Sequence, residues 1–153
     1  MPKNTDILKF FQGYIKEMID VGGENLPKAI SIKSGSKLGR FYKERGSLLN
    51  IELVLKQFYE GFKGKPTIKK LNDNNYNVSV KFSHKFCPIG GKHHRENPSR
   101  GSLFQDNICI PYMRGFLSEI FPHFTTELEF LNCIPLNNQR TCHYLLKVRE
   151  TKK

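Results

Sequence analysis

Midway along the chain the spacing of apolar residues changes, and that change restricts the fold more than any other feature. Before residue 63 the spacing is helical. Ile7/Leu8, Phe11, Tyr14/Ile15 and Met18/Ile19 recur at three and four residues, which predicts a helix over about 5–21, stopped by Gly22-Gly23. Pro27 suits the first turn of a second helix running to about Glu44, in which Ser31, Gly35 and Gly39 stand four apart on one face. Glycine costs a helix interior about 1 kcal/mol relative to alanine, so the stripe predicts a neighbour at close range. Asn50 is placed to cap a third helix with Ile51, Val54/Leu55, Phe58/Tyr59 and Phe62 on one side, ended by Gly61, Gly64 and Pro66.

From Tyr76 the period becomes two. Tyr76, Val78, Val80, Phe82 and Phe86 alternate with Asn77, Ser79, Lys81, Ser83 and Lys85, the pattern of a half-buried strand. Pro66–Leu71 is its hairpin partner across Asn72-Asp73-Asn74-Asn75, which has turn composition. Cys87 to Phe104 reads as a polar loop long enough to suggest function. A fourth helix is expected over 107–121, capped by Asp106 or Asn107, with Pro111 in its first turn and Ile108, Tyr112/Met113, Phe116/Leu117 and Ile120 inward. A second hairpin follows, with Phe124–Cys133 and Arg140–Glu150 flanking Pro135–Gln139. The expectation is an α+β fold: about four helices packed on a twisted antiparallel sheet built from two hairpins. At 153 residues, one domain over 1–153 accounts for the chain.

Composition excludes several classes. With 38% hydrophobic and 25% charged residues the chain is not of disordered type. No apolar run approaches the ~18–20 residues that span a bilayer, and the first residues lack a signal-peptide layout. Four cysteines are too few for a disulfide scaffold, so a soluble, reduced, cytoplasmic domain is expected. The net charge of +11 is dispersed from Lys3 to Lys153, without helix-turn-helix, zinc-finger or RNA-recognition signatures. Nucleic acid and anionic membrane surfaces therefore rank below other partners.

The chemistry, if any, lies at Cys87, Cys109, Cys133 and Cys142. Cys87 follows the predicted strand, Cys109 starts the fourth helix, and Cys133 and Cys142 sit on opposite arms of the last hairpin. All four stand at ends of elements, where distant segments can converge on a tetrahedral zinc at ~2.3 Å. No Cys-x-x-Cys pair is present, so spacing alone leaves three readings open: buried structural thiols, zinc, or an iron–sulfur cluster. The remaining candidates are weaker. His93-His94 lie among charged residues and read as solvated, His143 as surface, and His84 as a core histidine beside Phe82 and Phe86. Gly90-Gly91-Lys92 lacks the rest of a phosphate loop, and no Gly-x-Ser-x-Gly elbow occurs, so an enzyme is the minority reading. Phe11, Tyr14, Phe41, Phe58, Tyr112 and Phe116 form aromatic stripes that serve either as plain core or as the lining of an apolar pocket.

The stretch from Cys109 through Tyr112-Met113-Arg114-Gly115-Phe116-Leu117 to a hairpin holding Cys133 and Cys142 resembles the 4-vinyl-reductase-like small-molecule sensor domain. In zinc-bearing members four residues hold the metal: a cysteine at a helix start, the glutamate and the cysteine of a Glu-x-x-Cys, and a last cysteine. Here Phe130 stands at the glutamate position, with Glu127 and Glu129 nearby. Cys87-Pro88-Ile89-Gly90 is similar to the Cys-Pro-Phe-Gly element of the related methanogen output domain, which makes Cys87 the candidate fourth ligand. Ala29, Gly35, Leu38 and Gly39 resemble the glycine-bearing second helix shared with the TRAPP vesicle-tethering subunits. The resemblance implies a homodimeric ligand-binding or sensor module with a small apolar ligand and a mainly structural zinc. It also leaves two alternatives: a TRAPP-like scaffold working through a partner protein, and an enzyme on a small apolar or tetrapyrrole-like substrate.

Overall fold

Each of the three expected N-terminal helices forms, and the residues that were to end or cap them do so. A computed structural model describes residues 4–46, 50–93, 95–96 and 99–152, without the side chains of 4–9, 11, 12, 99 and 100. Helix α1 spans Asn4–Gly22, α2 Asn25–Glu44 and α3 Ile51–Gly61. Gly23 closes α1 with a φ of 71° that favours glycine, its N–H donating to the Ile19 carbonyl at 2.9 Å. Asn50 caps α3, its Oδ1 accepting the Leu53 N–H at 2.8 Å.

Strands β1 (Lys65–Asn72) and β2 (Asn75–Lys81) make the first hairpin, and β3 (Phe124–Asn132) and β4 (Thr141–Glu150) the second. The hairpins join through their second strands, giving an antiparallel sheet in the order β1-β2-β4-β3. Pro66 has no N–H to donate, and β1 lies at an edge of the sheet, where that matters least. Val78, Val80, Tyr144, Leu146 and Val148 line the inner face, buried against Val54, Leu55 and Phe58 of α3. Phe116, Leu117 and Ile120 complete the core from α5 (Ile110–Ile120). Helix α2 packs across the back of α5 through Ser31, Gly35 and Gly39, as the small-residue stripe predicts. A Cβ at Gly35 would run into the Tyr112 carbonyl, and one at Gly115 into that of Ile32.

The structure corrects the sequence reading in four places. First, the fourth helix begins earlier, at α4 (Ser99–Phe104), and continues through a π-turn at Gln105–Cys109 into α5. Asp106 and Asn107 are thus inside the helical run rather than caps. The π-turn falls where Pro111 has no N–H for the carbonyl of Asn107. That carbonyl instead accepts the Ser31 hydroxyl of α2 at 3.3 Å, while the Asn107 amide donates to Leu103 at 2.8 Å. Second, the loop before α4 is therefore shorter than the sequence suggests. Third, β2 stops at Lys81; Phe82 stays buried, but His84 is exposed rather than in the core. Fourth, the β3–β4 connection contains a one-turn helix, α6 (Ile134–Asn137), with Asn138 left-handed at φ 53°.

Candidate functional site

All four cysteines face one small apolar cavity. Each arrives from a different segment: Cys87 from the turn after β2, Cys109 from the end of the π-turn, Cys133 just before α6, and Cys142 near the start of β4. The cavity has a volume of about 70 Å3. Phe58, Tyr59 and Phe62 of α3 wall one side, and Tyr112 and Met113 of α5 another. Phe82, Phe130 and Ile134 close the remainder. Cys109 is the last residue of the π-turn and directly precedes Ile110, so it stands at the start of α5 as expected, within a continuous helical run.

Two cysteines lie in turns that direct backbone donors at sulfur. In Cys87-Pro88-Ile89-Gly90-Gly91 the Gly90 N–H donates to Cys87 Sγ at 3.3 Å. Paired backbone bonds between Cys87 and Gly91, both 2.9 Å, hold the turn closed, and Gly91 adopts the φ of 79° that it needs. Cys133 repeats the arrangement three residues ahead of Leu136, whose N–H pulls the thiol pKa down against its burial. The Asn137 Oδ1 accepts the Cys133 N–H at 2.8 Å and fixes that turn. Cys142 has no backbone donor at its sulfur, and Cys109 has its own N–H, among the described residues.

Burial dominates the electrostatics. It pushes the Cys133 thiol up to about 11, with the charge of Cys87 adding to the effect. Cys109 and Cys142 go further up for the same first reason, and the other thiols reinforce it. Burial also raises Cys87, partly offset by the N–H groups of Gly90, Ile89 and Gly91. A thiol raised in this way is a poor nucleophile, since the thiolate is the reactive form. The mutual influence among the four sulfurs also shows that they lie within electrostatic reach of one another. Among the described residues, no three or more His, Cys, Asp or Glu side chains are drawn into metal-holding geometry.

A hydroxyl pair stands at the edge of the cavity that Tyr59 helps to line. Tyr59 of α3 and Tyr144 of β4 are 2.6 Å apart, oxygen to oxygen. Burial raises both phenols, and the charges of Cys142 and Cys109 are felt at each. Sequence reading missed this pair, since Tyr59 and Tyr144 lie far apart in the chain and each sits in an ordinary apolar stripe.

The aromatic candidates divide. Phe58 and Tyr112 line the cavity, while Phe116 is buried in the core behind it. Tyr14 and Phe41 are 61% and 60% exposed on α1 and α2 and are not part of the lining. The side chain of Phe11 lies outside those described, as does His94. His93 Nδ1 donates to the Pro135 carbonyl, 2.7 Å away, which ties the loop to α6. His143 is half-buried on the outer face of the sheet against Asn77. No helix among the described residues is long and apolar enough to cross a membrane.

No family model matches the chain, and no curated protein matches it in sequence. Solved structures do match. A trafficking protein particle complex subunit 3 from Naegleria fowleri, covalently bound to palmitic acid, matches with a TM-score of 0.67 at 12% identity, over 98% of this chain and 97% of that one. The H-NOX protein from Shewanella woodyi in its IWP-051-bound, Fe(II)CO state matches with a TM-score of 0.53 at 12% identity, over 96% and 72%. The phenol-responsive sensory domain of the transcription activator PoxR, with phenol, matches at 0.50 and 16% identity, over 95% and 74%. At these identities the similarity is one of fold: the chain has the helix-packed, antiparallel-sheet architecture also found in a trafficking-complex subunit and a small-molecule sensory domain.

Proposed function

We propose that the chain is a ligand-binding domain of sensor type, organised by a thiophilic metal ion at Cys87, Cys109, Cys133 and Cys142, with zinc ahead of an iron–sulfur cluster. The observation that carries this reading is the Cys87 turn in the four-thiol cavity, where the Gly90 N–H points at sulfur. Backbone donors at sulfur stabilise thiolate, the form that binds metal. The donor set fits such an ion in kind and number, with Cys87 in place of the glutamate absent at Phe130. Bound metal would tie the Cys87 turn, the helical run, α6 and β4 together, which is structural rather than catalytic work. No thiol here has the lowered pKa of a nucleophile, so the enzymatic reading gains no support.

Size favours an ion as the resident of the cavity. An apolar cavity of roughly 150 Å3 accommodates benzene, and this one has about 70 Å3. A small apolar ligand of aromatic size would enter only if Phe58, Phe62 or Tyr112 moved aside. The metal reading is tested with single Cys→Ser variants at all four positions. Each is expected to lose zinc binding by at least about tenfold. Unchanged binding in any one variant would remove that residue from the ligand set.

A second reading, assembly through protein surfaces, has its own observation. Seven of the ten large apolar side chains exposed among the described residues lie on α1 and α2: Phe10, Tyr14, Val21, Leu26, Ile30, Ile32 and Phe41. Helix α1 packs chiefly on α2, and these side chains remain exposed beside that contact. A second copy of the chain, meeting the first through α1 and α2, would cover them. The two readings are compatible, since this surface lies outside the cavity lining.

A further inference from the structure

The +11 charge is dispersed along the sequence, but the register of the sheet gathers part of it on one face. Alternate side chains of the strands point away from the core, and no helix among the described residues packs across that outer face. There Lys65 pairs with Lys81, Thr67 with Ser79 and Lys69 with Asn77. One strand further on, Lys81 pairs with Thr141, Ser79 with His143 and Asn77 with Leu145. Lys65, Lys69 and Lys81 are exposed, and none has a carboxylate partner among the described residues. Lys63 and Arg140 flank the same end, exposed and equally unpaired; the Arg140 carbonyl accepts the Phe82 N–H at 2.8 Å, which sets its backbone beside Lys81. The β3 half of the face is neutral instead. Glu129 meets Lys147 at 2.9 Å and Glu127 meets Arg149 at 3.9 Å.

We propose that this basic strip binds the phosphate backbone of a single-stranded nucleic acid. Charge complementarity sets the class of partner: unpaired lysines gain by releasing the counterions of a polyanion. The strip is about 10 Å wide from β1 to β4, and about 13 Å separate Lys65 from Lys69 along β1. A single strand fits that width, whereas a duplex would carry its second backbone over Glu127 and Glu129. Thr67, Ser79, Asn77 and His143 lie between the lysines and offer hydrogen bonds to phosphate and sugar. No Phe or Tyr stands among the outward-facing residues of the four strands, so bases are not stacked and binding is tolerant of sequence. For the same reason the face has no aromatic group to enter a bilayer interface. This inference is independent of the thiol cavity.

Fluorescence anisotropy with labelled oligouridylate tests it, using a strand about twenty residues long, which exceeds the ~4–16-nucleotide sites of comparable faces. Three lysine–phosphate contacts predict a slope of log K against log salt of about −2. Lys65→Gln/Lys69→Gln/Lys81→Gln should flatten that slope by about 2 and weaken binding at least about tenfold at about 50 mM salt. Lys16→Gln/Lys33→Gln/Lys56→Gln removes the same charge from exposed positions on α1, α2 and α3, and should leave the slope unchanged. If the sheet triple variant does not fold, Lys65→Gln alone decides, with an expected slope change of about 0.7. Equal losses in the two triple variants would overturn the proposal, as would an unaltered chain that binds no oligouridylate at about 50 mM salt. Tighter binding to a duplex of the same length, or to vesicles of equal parts phosphatidylserine and phosphatidylcholine, would also overturn it.

Discussion

A thiol in an apolar cavity resists ionisation, and that has a consequence for stability that depends on what the thiols hold. Burial pushes the Cys133 thiol from its ordinary 9.0 up to about 11, and Cys109 and Cys142 are also raised by burial. Without metal, the unfolded chain begins to lose these protons near pH 9 while the folded chain keeps them. The folded state then holds more protons, so stability is complete below pH 9 and falls as pH rises towards 11. Each thiol contributes a loss of roughly 1 kcal/mol per pH unit in that window. With metal bound the sign reverses. The folded state then holds thiolates, and stability climbs as pH approaches 9. Urea midpoints between pH 6.5 and 10.5, with and without added zinc, measure both slopes. Equal slopes in the two series would contradict a four-thiolate site.

At the level of elements, the helical run from Ser99 to Ile120 positions the site, and its contact with α2 is what holds it in place. The close approach depends on Gly35, where a Cβ would meet the Tyr112 carbonyl. Gly35→Ala is expected to cost about 1–3 kcal/mol, read as a lowered Tm, because backbone atoms cannot rotate aside as a side chain does. This contact was legible in the sequence, since glycines four apart on one helix face have few other uses. The strands were legible too, because Tyr76, Val78 and Val80 alternate cleanly. The start of the fourth helix was not. Ser99, Arg100, Gly101 and Ser102 carry no apolar period, and the helix there is held by packing of Gly101 and Phe104 against α6 and its neighbours. The π-turn was equally hidden, although Pro111 four residues after Asn107 is the signal that explains it. The four cysteines could be singled out as candidates because they stand near ends of the expected elements. The tyrosine pair was not, because a pairing between α3 and β4 is a property of the tertiary fold.

For the whole molecule, the fold leaves two regions with unfinished business: the thiol cavity inside, and the α1–α2 surface outside. If that surface is covered by a second copy, light scattering at tens of micromolar will give twice the mass of one chain. Tyr14→Asp combined with Ile30→Asp should return it to one, with the helical signal retained. A single-chain mass for the unaltered protein would contradict the assembly. Metal analysis of the folded chain prepared without oxygen, together with its absorption spectrum, decides whether the thiol cavity holds an ion. About one metal ion per chain is expected, with no visible colour, as zinc gives, and lost together with much of the thermal stability on chelation. A folded protein with no stoichiometric metal, and with Tm unmoved by chelator, would contradict it.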